Sequence, residues 1–207
     1  MVGYDPDKHH RRSIRLKGWD YTQAGAYFVT LVTRNLECLF DDPPLRQAVE
    51  TVWLHLPRHF RHVRLDEWVV MPNHLHDIIW MVGNTDVGAR HSAETSLPSG
   101  TLQKKRRIWP SERLSGNASP LPPPSNDVPH GVAPGSLGAI VGNFKSVAAR
   151  RINRIRKTSG VPIWQRNYYE HIIRDEQELR AIRQYICDNP GRWAEDAENP
   201  ARRFNIR

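Results

Sequence analysis

Cysteine is nearly missing from this sequence: Cys38 and Cys187 are the two among 207 residues. That excludes a disulfide-stapled scaffold, and no Cys-x-x-Cys pair is present to suggest a structural zinc. A reducing compartment suits two isolated thiols. Long apolar runs are missing too. No stretch approaches the roughly 18 residues that a membrane-spanning helix needs. The stretch Met1–Lys17 is polar and basic, without an apolar signal core. Cytoplasmic residence with no membrane partner is the expectation. Acidic residues are in deficit, 22 Asp and Glu against 30 Lys and Arg, for a net charge of +8. Such an imbalance favours a polyanionic partner, most often nucleic acid. The cations are clustered: Arg11, Arg12, Arg15 and Lys17; Lys104 to Arg107; Arg150, Arg151, Arg154, Arg156 and Lys157; Arg202 and Arg203.

Against these absences stands a clear order of elements. Residues 26–34 are aromatic and β-branched and predict a strand. Pro43-Pro44 opens a helical stretch to about His59, with Leu45, Val49, Val52 and Leu56 on one stripe and Pro57 ending or kinking it. Residues 63–71 alternate as a strand, Pro72-Asn73 makes a turn, and 74–82 is a third strand, so the pair reads as a hairpin. From Gly83 to about Gly135 no periodicity survives. Eight of the sixteen prolines fall between Pro98 and Pro134, which predicts a disordered or loosely ordered insertion. Residues 137–157 are an amphipathic helix, with Ile140, Phe144, Val147, Ala148, Ile152 and Ile155 on its apolar side. Residues 162–173 read as extended, a strand or a strand plus turn. Asp175 and Glu178 form a capping box for a helix from Glu176 to about Asn189, which Pro190 ends. The order matches a single α+β domain over 1–207: a ferredoxin-like βαββαβ antiparallel sheet, plus one extra C-terminal helix.

The chemistry concentrates at Met71-Pro72-Asn73-His74-Leu75-His76. Side chains alternate along a strand, so His74 and His76 share a face and can hold a divalent metal between two imidazoles. On the extra helix, Tyr185 and Asn189 lie one turn apart and also share a face. That helix can carry both to the open side of the sheet, where the histidines point.

Met71–His76 resembles the His-hydrophobic-His motif of single-tyrosine HUH transposases. Trp164-Gln165-Arg166-Asn167-Tyr168-Tyr169-Glu170-His171 and Tyr185-Ile186-Cys187-Asp188-Asn189-Pro190 are similar to blocks in the REP-associated tyrosine transposases of bacteria. The helix Gly138–Arg156, with Asn143-Phe144-Lys145, looks like that group as well. The resemblance covers nearly all of the chain outside 83–135. It implies that His74, His76 and Asn189 hold Mg²⁺ or Mn²⁺ and that Tyr185 is the nucleophile. It also implies cleavage of single-stranded DNA near a REP-like hairpin through a 5′-phosphotyrosine link, by an enzyme that works as a monomer. Arg11, Arg12, Arg15, Lys145, Arg150, Arg154 and Arg166 are the expected DNA contacts.

Other readings of the same residues stand beside this one. By residue type alone Tyr168 or Tyr169 can serve as nucleophile; without a partner one turn away, they read as sheet-face residues that pack or touch DNA. His55, His59 and His62 have helix-like spacing, but no Glu completes a His-Glu-x-x-His motif and Pro57 interrupts them, so they read as surface or phosphate-contacting residues. A sheet with exposed aromatics can also bind single strands without cutting them, and a histidine pair also suits a water-using nuclease, a replication initiator or a relaxase. One residue departs from the resembled pattern. The position after the second histidine is usually small, and here it is Asp77, pointing opposite the histidines toward the helix-packed face. A buried carboxylate there calls for a partner, such as an Arg, or a less buried strand.

Overall fold

Alternating apolar and β-branched residues fold the chain around one four-stranded sheet. A computed structural model describes residue 16, residues 18–83 and residues 132–204. Strands β1 (Gly25–Val32), β2 (Val63–Val70), β3 (His74–Met81) and β4 (Tyr169–Ile173) pair antiparallel in the order β2-β3-β1-β4. The long connections carry helix α1 (Pro43–Leu54), a one-turn α2 (Leu56–His59), and α3 (Leu137–Ile155). This is the α+β, ferredoxin-like plan. Most of the 83–135 insertion, and Arg11, Arg12 and Arg15, lie outside the described residues.

Local signals set the boundaries. The helical stretch breaks at His55, where Pro57 removes a backbone donor. Ser136 caps α3 by accepting from the Ala139 amide. The hairpin between β2 and β3 is closed across Pro72-Asn73 by the Met71 amide donating to the His74 carbonyl at 2.8 Å. Strand β4 is shorter than the extended 162–173 segment. Trp164 makes an isolated bridge to Thr33, and the intervening turn is tied to α3 by Lys145.

The sheet is covered on both sides, so its central strands are buried along their length. On one face Tyr27, Val29 and Leu31 of β1 and Leu75, Ile79 and Met81 of β3 pack against α1 and α3. Trp53 of α1 meets Phe144 of α3 edge to face at 4.8 Å. Each such side chain contributes about 1.5–3 kcal/mol through burial. On the other face Ala26, Phe28 and Ile78 meet Leu179 and Ile186 of the extra helix, α4 (Glu176–Asp188).

A local cap and two ties to the strands hold α4 on the sheet. Asp175 caps it, accepting from the Glu178 amide at 2.8 Å. The Glu178 carboxylate bonds His171 of β4 at 2.6 Å and accepts from the Arg174 amide, one residue before the position a capping box uses. Arg183 grips Asp66 of β2 with two nitrogens at 2.9 and 2.6 Å, while the Trp80 indole donates to the same carboxylate. Beyond α4, Asn189–Glu195 forms a 3-10 helix and Pro200–Phe204 a short α5. This segment reads in sequence as a polar tail, because it is too short for periodicity to show.

Candidate metal and tyrosine site

The pleat of β3 turns His74 and His76 to the α4 side, and both are buried. Their Nε2 atoms are 3.0 Å apart. The remaining ring nitrogens are engaged by neighbours. Nδ1 of His74 lies 2.9 Å from Oδ1 of Asn73, and Nδ1 of His76 lies 2.8 Å from the hydroxyl of Thr30, its partner across the β1–β3 register. Asn73 donates its amide hydrogens to the carbonyls of Leu36 (3.1 Å) and Glu198 (2.7 Å), so its Oδ1 is the acceptor and Nδ1 of His74 the donor. Nε2 of His74 is then the unprotonated nitrogen, its lone pair turned toward Nε2 of His76, the tautomer a metal-ligating imidazole needs.

Burial is also what keeps these rings neutral. It lowers His76 to about 3 and drives His74 well below the usual histidine range, with the neighbouring ring adding to the latter effect. A neutral imidazole offers its lone pair without first losing a proton.

Helix α4 delivers Tyr185 to the same place. Its hydroxyl sits 3.2 Å from Nε2 of His76, although the two are 109 positions apart in sequence. The residue is 37% exposed, and its ring packs edge-on to Phe28. Burial of the hydroxyl end, reinforced by the charge of Asp196, pushes Tyr185 up to about 12, against a smaller lowering from the nearby Asn189 side chain. Asn189 is buried, and its Oδ1 has no hydrogen-bond partner.

Asp196 completes the cluster. Its Oδ2 is 3.6 Å from Nε2 of His74, and the donor atoms of His74, His76 and Asp196 lie within 4.8 Å of one another. The group fits a divalent cation. Bonds of about 2.1 Å in octahedral geometry set adjacent donors about 3.0 Å apart, the spacing of the two Nε2 atoms. The unpartnered Oδ1 of Asn189 supplies a further oxygen donor in the neighbourhood. Sequence reading does not reach Asp196, which lies in the aperiodic segment after α4, nor Thr30, whose place depends on strand register.

The remaining candidates are dispersed. Tyr169 opens β4 and packs edge-on to Phe28 at 6.0 Å, one ring removed from the histidines, while Tyr168 packs against the helix-covered core. His62 bonds the Gly135 carbonyl at 2.9 Å, and among the described residues no metal-ligating group of three forms around His55, His59 and His62. Lys145 places its ammonium on the carbonyls of Gln165, Arg166 and Asn167 at 2.5, 3.2 and 3.3 Å, and burial lowers it to about 8. With three donors so engaged it holds a turn in this conformation. Arg150, Arg154 and Arg166 are exposed, the first two on α3, across the sheet from the histidines. Asp77 finds neither the partner nor the looser strand expected of it. It is 1% exposed on the helix-packed face, both oxygens lack a hydrogen bond, and burial together with the charge of Asp66 holds its carboxyl well above the usual range.

No protein-family model matches the chain. It is 35% identical over 203 residues to an uncharacterized protein of Haemophilus influenzae, covering 93% of this chain and 95% of that one. The chain belongs to the same family as that protein. Among solved structures, a REP-associated tyrosine transposase bound to a REP hairpin aligns over 93% of this chain and 74% of its own, at a TM-score of 0.44 and 18% identity.

Proposed function

We propose that this protein is a metal-dependent single-stranded DNA endonuclease and strand transferase of the REP-associated tyrosine transposase kind, acting beside hairpin DNA through a 5′-phosphotyrosine intermediate. The observation that carries this reading is the 3.2 Å approach of the Tyr185 hydroxyl to Nε2 of His76, inside a His-His-Asp group suited to a cation. The basic surface and the motif resemblance support it.

In the proposed reaction, Mg²⁺ or Mn²⁺ held by the histidine pair supplies positive charge that neutralises and orients the scissile phosphate. Tyr185 performs the displacement: its oxygen bonds to phosphorus as the bond to the 3′-oxygen breaks. The phenolic proton passes to solvent and the departing oxygen leaves as a 3′-hydroxyl. The ester conserves the bond, so another 3′-hydroxyl can reverse the step and join strands, which hydrolysis cannot do. Asn189, buried with an unpartnered Oδ1, is the further oxygen donor that would join the two histidines at the ion. On this reading Arg150, Arg154 and Arg166 contact the DNA backbone. The protein acts as a cytoplasmic monomer, with Tyr185 serving the histidine pair of its own chain.

Labelled, hairpin-flanked single-stranded DNA incubated with the protein and Mn²⁺ tests this directly. A covalent adduct that survives denaturation is expected, and none with Tyr185→Phe. Free 5′-phosphate product without adduct would assign the protein instead to the water-using nucleases. Binding without cleavage under any metal would make it a binding module.

A further inference from the structure

We infer that Arg183 and Asp66 form a positioning clamp for the nucleophile: by fixing the roll of α4 over the sheet, the pair sets the Tyr185 hydroxyl against His76. The inference takes Tyr185 as the nucleophile from the reading above and adds what holds it in place.

The clamp begins as an irregularity in β2. Leu65 pairs with Ile79 and Trp68 with Asp77, so Asp66 and Glu67 together stand opposite Ile78 alone. Leu65 and Trp68, three positions apart, both pack on the core under α1 and α3, which strict alternation forbids. The extra residue is a β-bulge, a device that re-aims side chains. Asp66 stands on the α4 side with both oxygens filled. Oδ1 accepts from Nε of Arg183 at 2.9 Å and from the Glu67 amide at 2.8 Å. Oδ2 accepts from Nη2 of Arg183 at 2.6 Å and from the Trp80 indole at 2.7 Å. Two parallel bonds from one guanidinium to one carboxylate fix orientation as well as distance. The Arg183 and Asp66 side chains are 31% and 13% exposed. Solvent therefore screens them less than Arg180 and Glu176, an exposed pair 4.0 Å apart on the same helix.

The place of Arg183 on α4 gives the clamp its leverage. Leu179, Ile182 and Ile186 form the stripe that packs on Ala26, Phe28 and Ile78. At about 100° per residue, Arg183 and Tyr185 fall on opposite flanks of that stripe. Arg183 reaches β2, at one edge of the sheet, while Tyr185 reaches His76 and Phe28 on the central strands. A roll about the helix axis that lifts one flank lowers the other. Apolar contact in the stripe is non-directional and resists such a roll weakly. At the first turn, Glu178 holds the helix to His171 of β4, the opposite edge strand. The helix is thus pinned to both edges, with Tyr185 over the strands between them. Displacement at phosphorus tolerates little error, since about 1 Å of misplacement costs about a hundredfold in rate.

Full-length protein carrying 3-fluorotyrosine at position 185 reports the setting of that ring by ¹⁹F NMR, without DNA or metal. The parent is compared with Arg183→Met and Asp66→Asn, each at a temperature where urea titration shows it fully folded. One sharp resonance is expected from the parent, and a displaced or broadened one from both variants. Single-turnover cleavage of labelled, hairpin-flanked single-stranded DNA with Mn²⁺ is then measured with the natural tyrosine. Both variants should lose about 10–100-fold in rate at saturating DNA, with the half-saturating DNA concentration within about twofold of wild type. A parental spectrum or a wild-type saturating rate in folded Arg183→Met overturns the inference and leaves the strand-transfer reading standing. No adduct from wild type overturns the strand-transfer reading, and the ¹⁹F spectra still decide whether the pair positions Tyr185. If Arg183→Met does not fold, Arg183→Lys, which keeps the charge and loses the fork, is judged by the same criteria.

Discussion

His76 and Asp77 are neighbours on β3, and both are buried, at 4% and 1% exposure. Their surroundings treat them in opposite ways. Each nitrogen of His76 has a polar group within reach: Thr30 on one side, and His74 and Tyr185 on the other. Neither oxygen of Asp77 has a hydrogen bond. The difference follows the two faces of the sheet. The face under α1 and α3 is a continuous apolar core, where a carboxyl group costs stability and does nothing visible in return. The face under α4 is polar where the histidines lie, and there the buried polar groups organise one another. Polarity under a helix is thus harmful or useful according to whether neighbours arrive from other segments to meet it.

Replacing residues on either face sharpens this contrast, and the largest effect belongs to the α4 face. Tyr185→Phe should cut adduct formation at least about a thousandfold while leaving the urea midpoint unchanged, because the ring and its contact with Phe28 persist. A variant that still forms adduct would remove Tyr185 from the chemistry.

Asn73→Ala comes next. It removes the acceptor that fixes the His74 tautomer and the donor that fastens Glu198, and metal affinity should drop about 10–100-fold. Calorimetric titration with Mn²⁺ reads this, and unchanged affinity would mean that the histidine pair is positioned without help.

On the opposite face, Asp77→Val should gain stability by about 1–3 kcal/mol, since it replaces an unpaired buried polar group with a β-forming apolar one. The check is a higher urea midpoint at constant slope; a lower one would reveal a partner for the carboxyl. The gain should depend on pH. Asp77 is raised in the folded state, so its contribution is fully present below the ordinary carboxylate range and lost as pH rises through the folded value. The advantage of Asp77→Val is therefore smallest near about pH 3 and largest at neutrality.

The smallest effect expected is the pH dependence of Mn²⁺ affinity. With His76 lowered to about 3 and His74 depressed as well, no imidazole proton competes with the ion, and affinity should hold within about a factor of two between about pH 8 and 6. An exposed histidine pair would weaken as pH fell through its ordinary titration range near 6.5.

Legibility in the sequence followed the range of the interaction. The strand period put His74 and His76 on one face, the helical period paired Tyr185 with Asn189, and Pro57, Asp175 and Pro190 marked helix boundaries, because each of these is decided within a few residues. The ferredoxin-like plan followed from the order of the elements alone. What stayed hidden was set at long range. Thr30 meets His76 only through the β1–β3 register, and Asp196 meets His74 only after a 3-10 helix folds back over the sheet. Lys145 looked like one more basic residue until the three carbonyls around it could be seen. Asp77 was legible as a misfit, but its lack of a partner required every surrounding side chain.

The bond from Asn73 to the Glu198 carbonyl spans 125 positions. Chains emerge from the ribosome at about 5–20 residues per second, so the hairpin bearing both histidines is exposed for several seconds before the other end of that bond exists. Through that interval the nascent chain has neither Tyr185 nor Asp196, so the cluster around the histidines is incomplete. The site is therefore assembled only once α4 and the segment following it have been made and fold over the histidines.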